Sequence, residues 1–210
     1  PLPGTVVPAG STVFLQVAAP PPSGGEVHVG PGQTYAEPHL IPQPQANDKV
    51  YIHGRAGDYH SKMPWNADGL LVEEVLGPNG ERATFEAADA VEPWWAKDAY
   101  FSPFVSQAGI FTVCPPPGKS QVVGVKIKGF VLKGAGHEKI GFVRHDGTPT
   151  GWTAGAAGVS LARALGCVLE GVSCTDCDNG VFGKSGFYGA GGDLEDITLR
   201  GCHVWGNGID

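Results

Sequence analysis

The sequence predicts an all-β chain built as a parallel β-helix, a solenoid with an N-terminal strand or cap region and a long aromatic-rich excursion. Three observations carry that expectation. Gly 33 and Pro 18 make up almost a quarter of the 210 residues, while charged residues are only 17% and Met 1, a balance of strands and turns rather than helices. Short aliphatic runs that alternate with polar residues and stop at glycine recur along the chain. Three of these runs, VVGVKIKGFVLKG (122–134), CVLEGVSCTDC (167–177) and DITLRGCHVWG (196–206), align on Gly129, Gly171 and Gly201. A strand of two to four inward apolar residues cannot close a core alone, but stacked copies bury one continuous face.

Residues 1–25 are rich in Pro, Gly and Ser and read as a lead-in, with STVFLQVAA able to pair as an edge strand. The β-helix domain is expected to span 26–210. Val27 and Val29 alternate before a Gly-Pro-Gly turn, and Val50 and Ile52 repeat the period before His53-Gly54. GLLVEEVLGPNGERATFEA (69–87) supplies an apolar run, a Gly-Pro-Asn-Gly turn and a short strand at 83–85. Residues 88–120, with Trp94-Trp95, Tyr100, Phe101, Phe104 and a Pro-Pro-Pro-Gly stop, read as an excursion from the scaffold. Between the three aligned blocks lie KIGFVRH (139–145), AGVSLAR (157–163) and NGVFGKS (179–185). Gly171 precedes Gly201 by thirty residues and Gly158 precedes Gly180 by twenty-two, and HDGTPTGWTAGA lengthens the interval after Gly129. Asn179 and Asn207, each opening an Asn-Gly-aliphatic unit, are expected at a turn as an internal amide ladder. Leucine-rich repeats need regular leucines and an asparagine in each repeat, which are absent, and an immunoglobulin-like sandwich would not repeat the Gly-aliphatic block.

Composition excludes several classes. Net charge is −7 and no Lys/Arg cluster occurs, so binding to nucleic acid lacks its electrostatic footing. An anionic polymer would need positive residues concentrated locally against that charge. No apolar run approaches the ~20 residues that cross a bilayer, so no membrane insertion is expected. No signal peptide is visible, and the opening PLPGTVVPAG is compatible with a processed secreted chain. GAGH (134–137) and GAGG (189–192) lack the strand–GxGxxG–helix context of a nucleotide site. Five cysteines forbid complete internal pairing. Cys174-x-x-Cys177 is a single CxxC, better read as small interior residues, with one disulfide allowed, than as a metal site.

GPGQTYAEP (30–38), DKVYIHGRAGDYHSK (48–62) and EVLGPNGERATFEA (74–87) resemble the opening region of secreted bacterial right-handed parallel β-helix proteins of the pectate-lyase-like superfamily. GVSLARALGCVLEGVSCTDCDNGVFGKSG and LEDITLRGCHVWGNGID look like the later coils of that group, so the resemblance covers roughly 26–210. It implies a right-handed solenoid, a secreted or cell-surface location and a polysaccharide partner. Its enzymatic form is a polysaccharide lyase or glycoside hydrolase. The alternative is a non-enzymatic glycan-binding or self-assembling extracellular β-helix, associating through an open C-terminal coil. The Asn-Thr-Asp, Asp-Asp, Gly-His-Gly and Arg-Ile-Lys blocks of the superfamily's polygalacturonase-type glycosidases are absent.

A polymer on such a scaffold lies along outward residues of adjacent coils. Asp176 and Asp178 alternate with inward neighbours and are expected to share an outer face, with His203 near the matching position one coil on. Arg144 leaves a strand end ahead of His145 and Asp146. Arg144, Asp176, Asp178 and His203 are the candidate catalytic residues, and Trp152, Lys184 and Trp205 the candidate substrate contacts. Two carboxylates at i, i+2 suit calcium, the one cofactor expected, or acid–base work; Arg, Lys or His suits removal of a C5 proton. Each has a plainer reading: Asp176 and Asp178 as turn residues bonding their own backbone, His203 as an ordinary histidine, the tryptophan pair as loop pins.

Overall fold

The computed structural model describes residues 24–184 and 194–208, so the expected strand at 11–19 lies outside the described residues. Strands dominate and almost all pair in parallel. The first sheet contains Glu26–Val29, Lys49–His53, Leu71–Val75, Lys126–Lys128, Val168–Glu170 and Thr198–Arg200, side by side in that order. The second runs Thr84–Glu86, Val131–Lys133, Ser173–Thr175, His203–Trp205. The third runs Met63–Trp65, Gly109–Val113, Ala157–Ala162, Asn179–Lys184. From Ala157 the chain passes through the third, first and second sheets and then repeats that order.

Alternation explains the inward face. Val50, Val72, Ile127 and Leu169 follow one another in register on the first sheet, as Phe85, Leu132 and Cys174 do on the second, and all are fully buried. Met63, Phe111 and Val159 do the same on the third, and the three columns meet in one apolar cluster.

The aligned glycines sit where the chain bends from the first sheet to the second. Glu170 pairs with both Lys128 and Arg200, so Gly129, Gly171 and Gly201 are in register one residue on. Their φ angles are +81°, +64° and +57°, the left-handed region that glycine enters without strain. A Cβ on Gly129 would also lie 2.5 Å from the Glu74 Cβ on the preceding rung. Gly158 and Gly180 are likewise in register, since Ala157 pairs with Asn179 and Val159 with Val181.

Three expectations need correction. The 88–120 segment is not wholly an excursion: it holds the turns Trp94–Asp98 and Pro103–Ser106, but then Gly109–Val113, an entirely buried strand of the third sheet. Asn179 and Asn207 do not form a ladder, because the register sets Asn207 beside Cys177. The Asn207 side chain accepts from the Cys177 N–H (2.8 Å) and donates to the Cys174 carbonyl (3.0 Å), whereas Asn179 donates to the Gly155 carbonyl (2.8 Å). The KIGFVRH run contributes Phe142–Val143, which folds back antiparallel on Pro149–Thr150. All five cysteines are free, with only Cys202 partly exposed. Among the described residues no helix is long and apolar enough to cross a membrane.

Candidate functional site

Beyond the second sheet, the chain leaving Val131–Lys133 and the chain leaving Ser173–Thr175 enclose a polar groove. Gly134 adopts φ +86°, and its N–H donates to the Thr175 carbonyl (3.2 Å), turning the loop across its neighbour. The Asp178 N–H donates to the Ala135 carbonyl (2.7 Å). A Cβ on Gly136 would lie 2.6 Å from the Asp178 carboxylate, so only glycine admits this approach. The loop then presents His137, Glu138 and Lys139 to a cavity of about 280 Å³, floored by Asp176, Asp178 and Asn207.

Asp178 organises the groove. Its Oδ2 accepts three hydrogen bonds: from the His137 N–H (3.0 Å), His137 Nδ1 (2.9 Å) and the Gly155 N–H (2.9 Å). Burial pushes this carboxyl up, but the His137 and Gly155 donors outweigh it and hold the group below its ordinary 3.8. The same bond from Nδ1 to Asp178 raises His137 above its ordinary 6.5. With Nδ1 donating to a carboxylate, neutral His137 keeps its lone pair on Nε2, the nitrogen that faces Glu138 Oε1 at 3.7 Å. Asp176, itself at φ +53°, accepts from Lys139 Nζ (2.8 Å).

The His137–Asp178 pair has a defined pH window. Raised His137 contributes fully below about 6.5 and loses its contribution as pH rises through its higher folded value; lowered Asp178 contributes fully above about 3.8 and fails as pH falls through its lower one. The pair is therefore strongest between those two ordinary values. In an NMR titration His137 is expected to turn over above 6.5, and Asp178→Asn to bring the midpoint back toward 6.5. An unchanged midpoint in that variant would show that Asp178 does not set the histidine.

The sequence-selected residues separate. Asp176 and Asp178 share the groove, but Asp178 is spent on backbone and imidazole donors. His203 pairs in register with Ser173, and the residue opposite Asp176 is Gly206, so His203 stands on the outer face of the second sheet before the groove rather than at the matching position. Trp205 follows it on that face, in register with Thr175 and 53% exposed, beside the Gly206 that borders the groove. Trp152 is only 5% exposed; its ring lies 4.7 Å from Phe142 and its Nε1 donates to the Ile140 carbonyl, so it pins the loop and offers no free face to a sugar. Trp95 is buried and donates to the Ile41 carbonyl, while Trp94 is exposed. Lys184 ends the strand of the third sheet opposite Ala162, and its side chain lies outside the described residues.

Arg144 belongs to a different, internal set of charges. Ser61 bridges Val91, and Val91 bridges Val143, so Lys62, Glu92 and Arg144 follow on successive rungs. Lys62 Nζ lies 3.1 Å from Glu92 Oε1 and donates to the Tyr100 hydroxyl (2.6 Å), with side chains of Lys62 and Glu92 0% and 1% exposed. Burial lowers Lys62 against the opposing pull of Glu92, and burial drives Tyr100 well above its usual range. Glu92 Oε2 also faces His145 Nδ1 at 3.5 Å, and Arg144 Nε is buried without a hydrogen-bond partner. Arg144 therefore does not join Asp176 and Asp178.

Sequence reading missed His137, Glu138 and Lys139. The one signal was GAGHEK itself, a polar connection between two strand blocks, and it reads only as a turn until Asp178, forty-one residues on from His137, is placed beneath it. Among the described residues no group of three or more His, Cys, Asp or Glu side chains is arranged to hold a metal ion. No protein-family model matches the chain, and neither a search of curated proteins nor one of solved structures found a match.

Proposed function

We propose that the chain is a right-handed parallel β-helix of the pectate-lyase-like kind that works outside the cell or at its surface on a polysaccharide, as a lyase acting through His137. The observation that carries this reading is the carboxylate-held His137 in a polar groove with exposed Trp205 at its border. Tryptophan faces stack on sugar rings, and a histidine fixed by Asp178 is oriented for proton transfer. Neutral His137 takes the C5 proton of a uronate through Nε2, the C4–oxygen bond breaks to leave an unsaturated end, and the leaving oxygen is protonated from solvent. Lys139, once released from Asp176, supplies positive charge to the sugar carboxylate. Calcium, if used, meets the carboxylates of Asp176 and Glu138. A hydrolase fits less well, because it needs a carboxylic acid that stays protonated, and Asp178 is held below its ordinary value.

A panel of uronic-acid polymers, each with calcium and with chelator, tests the reading by ultraviolet absorbance of unsaturated ends and by new reducing ends. His137→Ala is expected to lower turnover by about 10²–10⁴-fold with the fold retained, and the rate of the parent to rise as pH passes through the raised His137 value. Equal activity in that variant would move the chemistry elsewhere. Silence of the parent across the panel would favour the second reading, a non-enzymatic glycan-binding or self-assembling β-helix. For glycan binding that reading draws on the exposed rings of Trp94 and Trp205, 57% and 53% accessible, and for self-assembly on association in solution. Light scattering against concentration measures the association it requires.

A further inference from the structure

At the other end of the first sheet, two imidazoles converge. His28 stands on the outer face of the first strand, opposite Tyr51, and its ring stacks on the Tyr51 ring at 4.9 Å and 25°. His53 closes the next strand, two residues beyond Tyr51, and leans back toward the first rung. Gly30 makes that lean possible, since a Cβ there would lie 3.0 Å from the His53 Cβ and 2.8 Å from the Tyr59 hydroxyl. Tyr59 in turn donates to the His53 carbonyl, fixing the backbone that carries the ring. The outcome is His28 Nδ1 at 3.1 Å from His53 Nε2, with one proton shared between two nitrogens.

That separation is a chelating bite. With metal–nitrogen bonds of about 2.0–2.1 Å, two imidazoles on one ion stand about 2.9 Å apart at a right angle and about 3.3 Å apart at the tetrahedral angle. The two nitrogens already stand at that separation, and each ring has only to turn its lone pair off the line between them, by about 35–45°, for both to point at one ion. Burial, and then the neighbouring His28, hold His53 below its ordinary value, so its lone pair is available at neutral pH. The Glu26–Lys49 ion pair (3.0 Å) lies on the same face and satisfies its own charges.

We propose that His28 and His53 form a two-imidazole site for a divalent transition-metal ion of the copper, nickel or zinc class. On binding, the proton between the rings moves to an outward ring nitrogen, and both inner lone pairs are given to the ion without net loss of a proton. The ion ties the first rung of the first sheet to the second and keeps open positions for water or another oxygen ligand. Imidazole suits these metals, and copper is bound most tightly among them.

The full chain is titrated with Cu²⁺ and, separately, Zn²⁺ in a non-coordinating buffer by calorimetry, and the histidine ring nitrogens are followed by NMR during the Zn²⁺ titration. One ion should bind per chain, Cu²⁺ more tightly than Zn²⁺, with the His28 and His53 ring signals shifting together. His28→Gln or His53→Gln removes one arm of the chelate and should lower the affinity on the order of 10²-fold. Tyr51→Phe should leave it unchanged. Circular dichroism of each variant confirms the fold, which neither ring on the outer face supports. The proposal is overturned if the double variant His28→Gln/His53→Gln keeps the parent affinity, or if Zn²⁺ leaves both rings' signals in place; the two rings are then hydrogen-bonded and nothing more.

Discussion

Replacing Glu92 with leucine is expected to destabilise the protein by about 3–5 kcal/mol, because it strands a buried ammonium. Lys62 has no exposed surface, and its two polar partners are the Glu92 carboxylate and the Tyr100 hydroxyl. Without the carboxylate, a neutral oxygen must hold the charge alone, and the cheaper outcome is a deprotonated Lys62. The sign of the pH dependence follows. Lys62 already sits below its ordinary 10.5, and the variant lowers it further, so the unfolded chain binds a proton that the folded chain does not. The deficit of the variant should therefore shrink as pH rises toward 10.5. Lys62→Met should cost less than Glu92→Leu, since the abandoned carboxylate still has the His145 N–H at 3.4 Å and Nδ1 at 3.5 Å. The double variant should recover most of the loss, as matched apolar replacements of buried ion pairs commonly do. Denaturant titrations of the four proteins form a complete cycle. A Glu92→Leu loss within about 1 kcal/mol would show that water reaches Lys62.

Local rules made part of this molecule legible. Gly129, Gly171 and Gly201 are written in the sequence because a bend at positive φ recruits glycine, and the strands on either side must then alternate in step. The Lys62, Glu92 and Arg144 column has no such marker. Its members stand one residue after bridges whose spacing along the chain is uneven, so Lys62 and Glu92 look like unrelated surface charges until Val91 is paired with both Ser61 and Val143. The groove divides in the same way. Asp176 and Asp178 could be chosen from their place after a strand, but their different duties depend on which donors arrive from 137 and 155. Trp152 and Trp205 show the limit most plainly: one pins a loop and the other stands in solvent, and nothing adjacent to either distinguishes them. His28 and His53 are hidden for another reason, since only parallel pairing brings their rings together.

Phe111→Ala should cost about 3–5 kcal/mol, as large as the buried-charge effect but by a different route. Phe111 lies in the strand that the 88–120 segment adds to the third sheet, paired on one side with Met63 and on the other with Val159. Its ring meets three others edge-on: Trp65 at 5.6 Å, Phe85 at 4.7 Å and Phe130 at 5.4 Å. Two of those partners enter from outside its own sheet, Phe85 from the second sheet and Phe130 from the bend leading into it. Truncation would therefore open a cavity between sheets rather than within one, where backbone hydrogen bonding resists collapse. Phe130 adds to the penalty, because its φ of +79° is a strained conformation for a non-glycine residue and its fully buried ring is part of what offsets the strain. Phe111→Leu keeps most of the volume and should cost less than about 1.5 kcal/mol. Leu199→Ala, at a half-exposed inward position, should fall within about 1 kcal/mol, since it removes little area from a buried environment. If Phe111→Ala proved as mild as Leu199→Ala, the segment would be a loop laid over the scaffold rather than a strand of the third sheet, and the aromatic cluster would not be what joins the sheets.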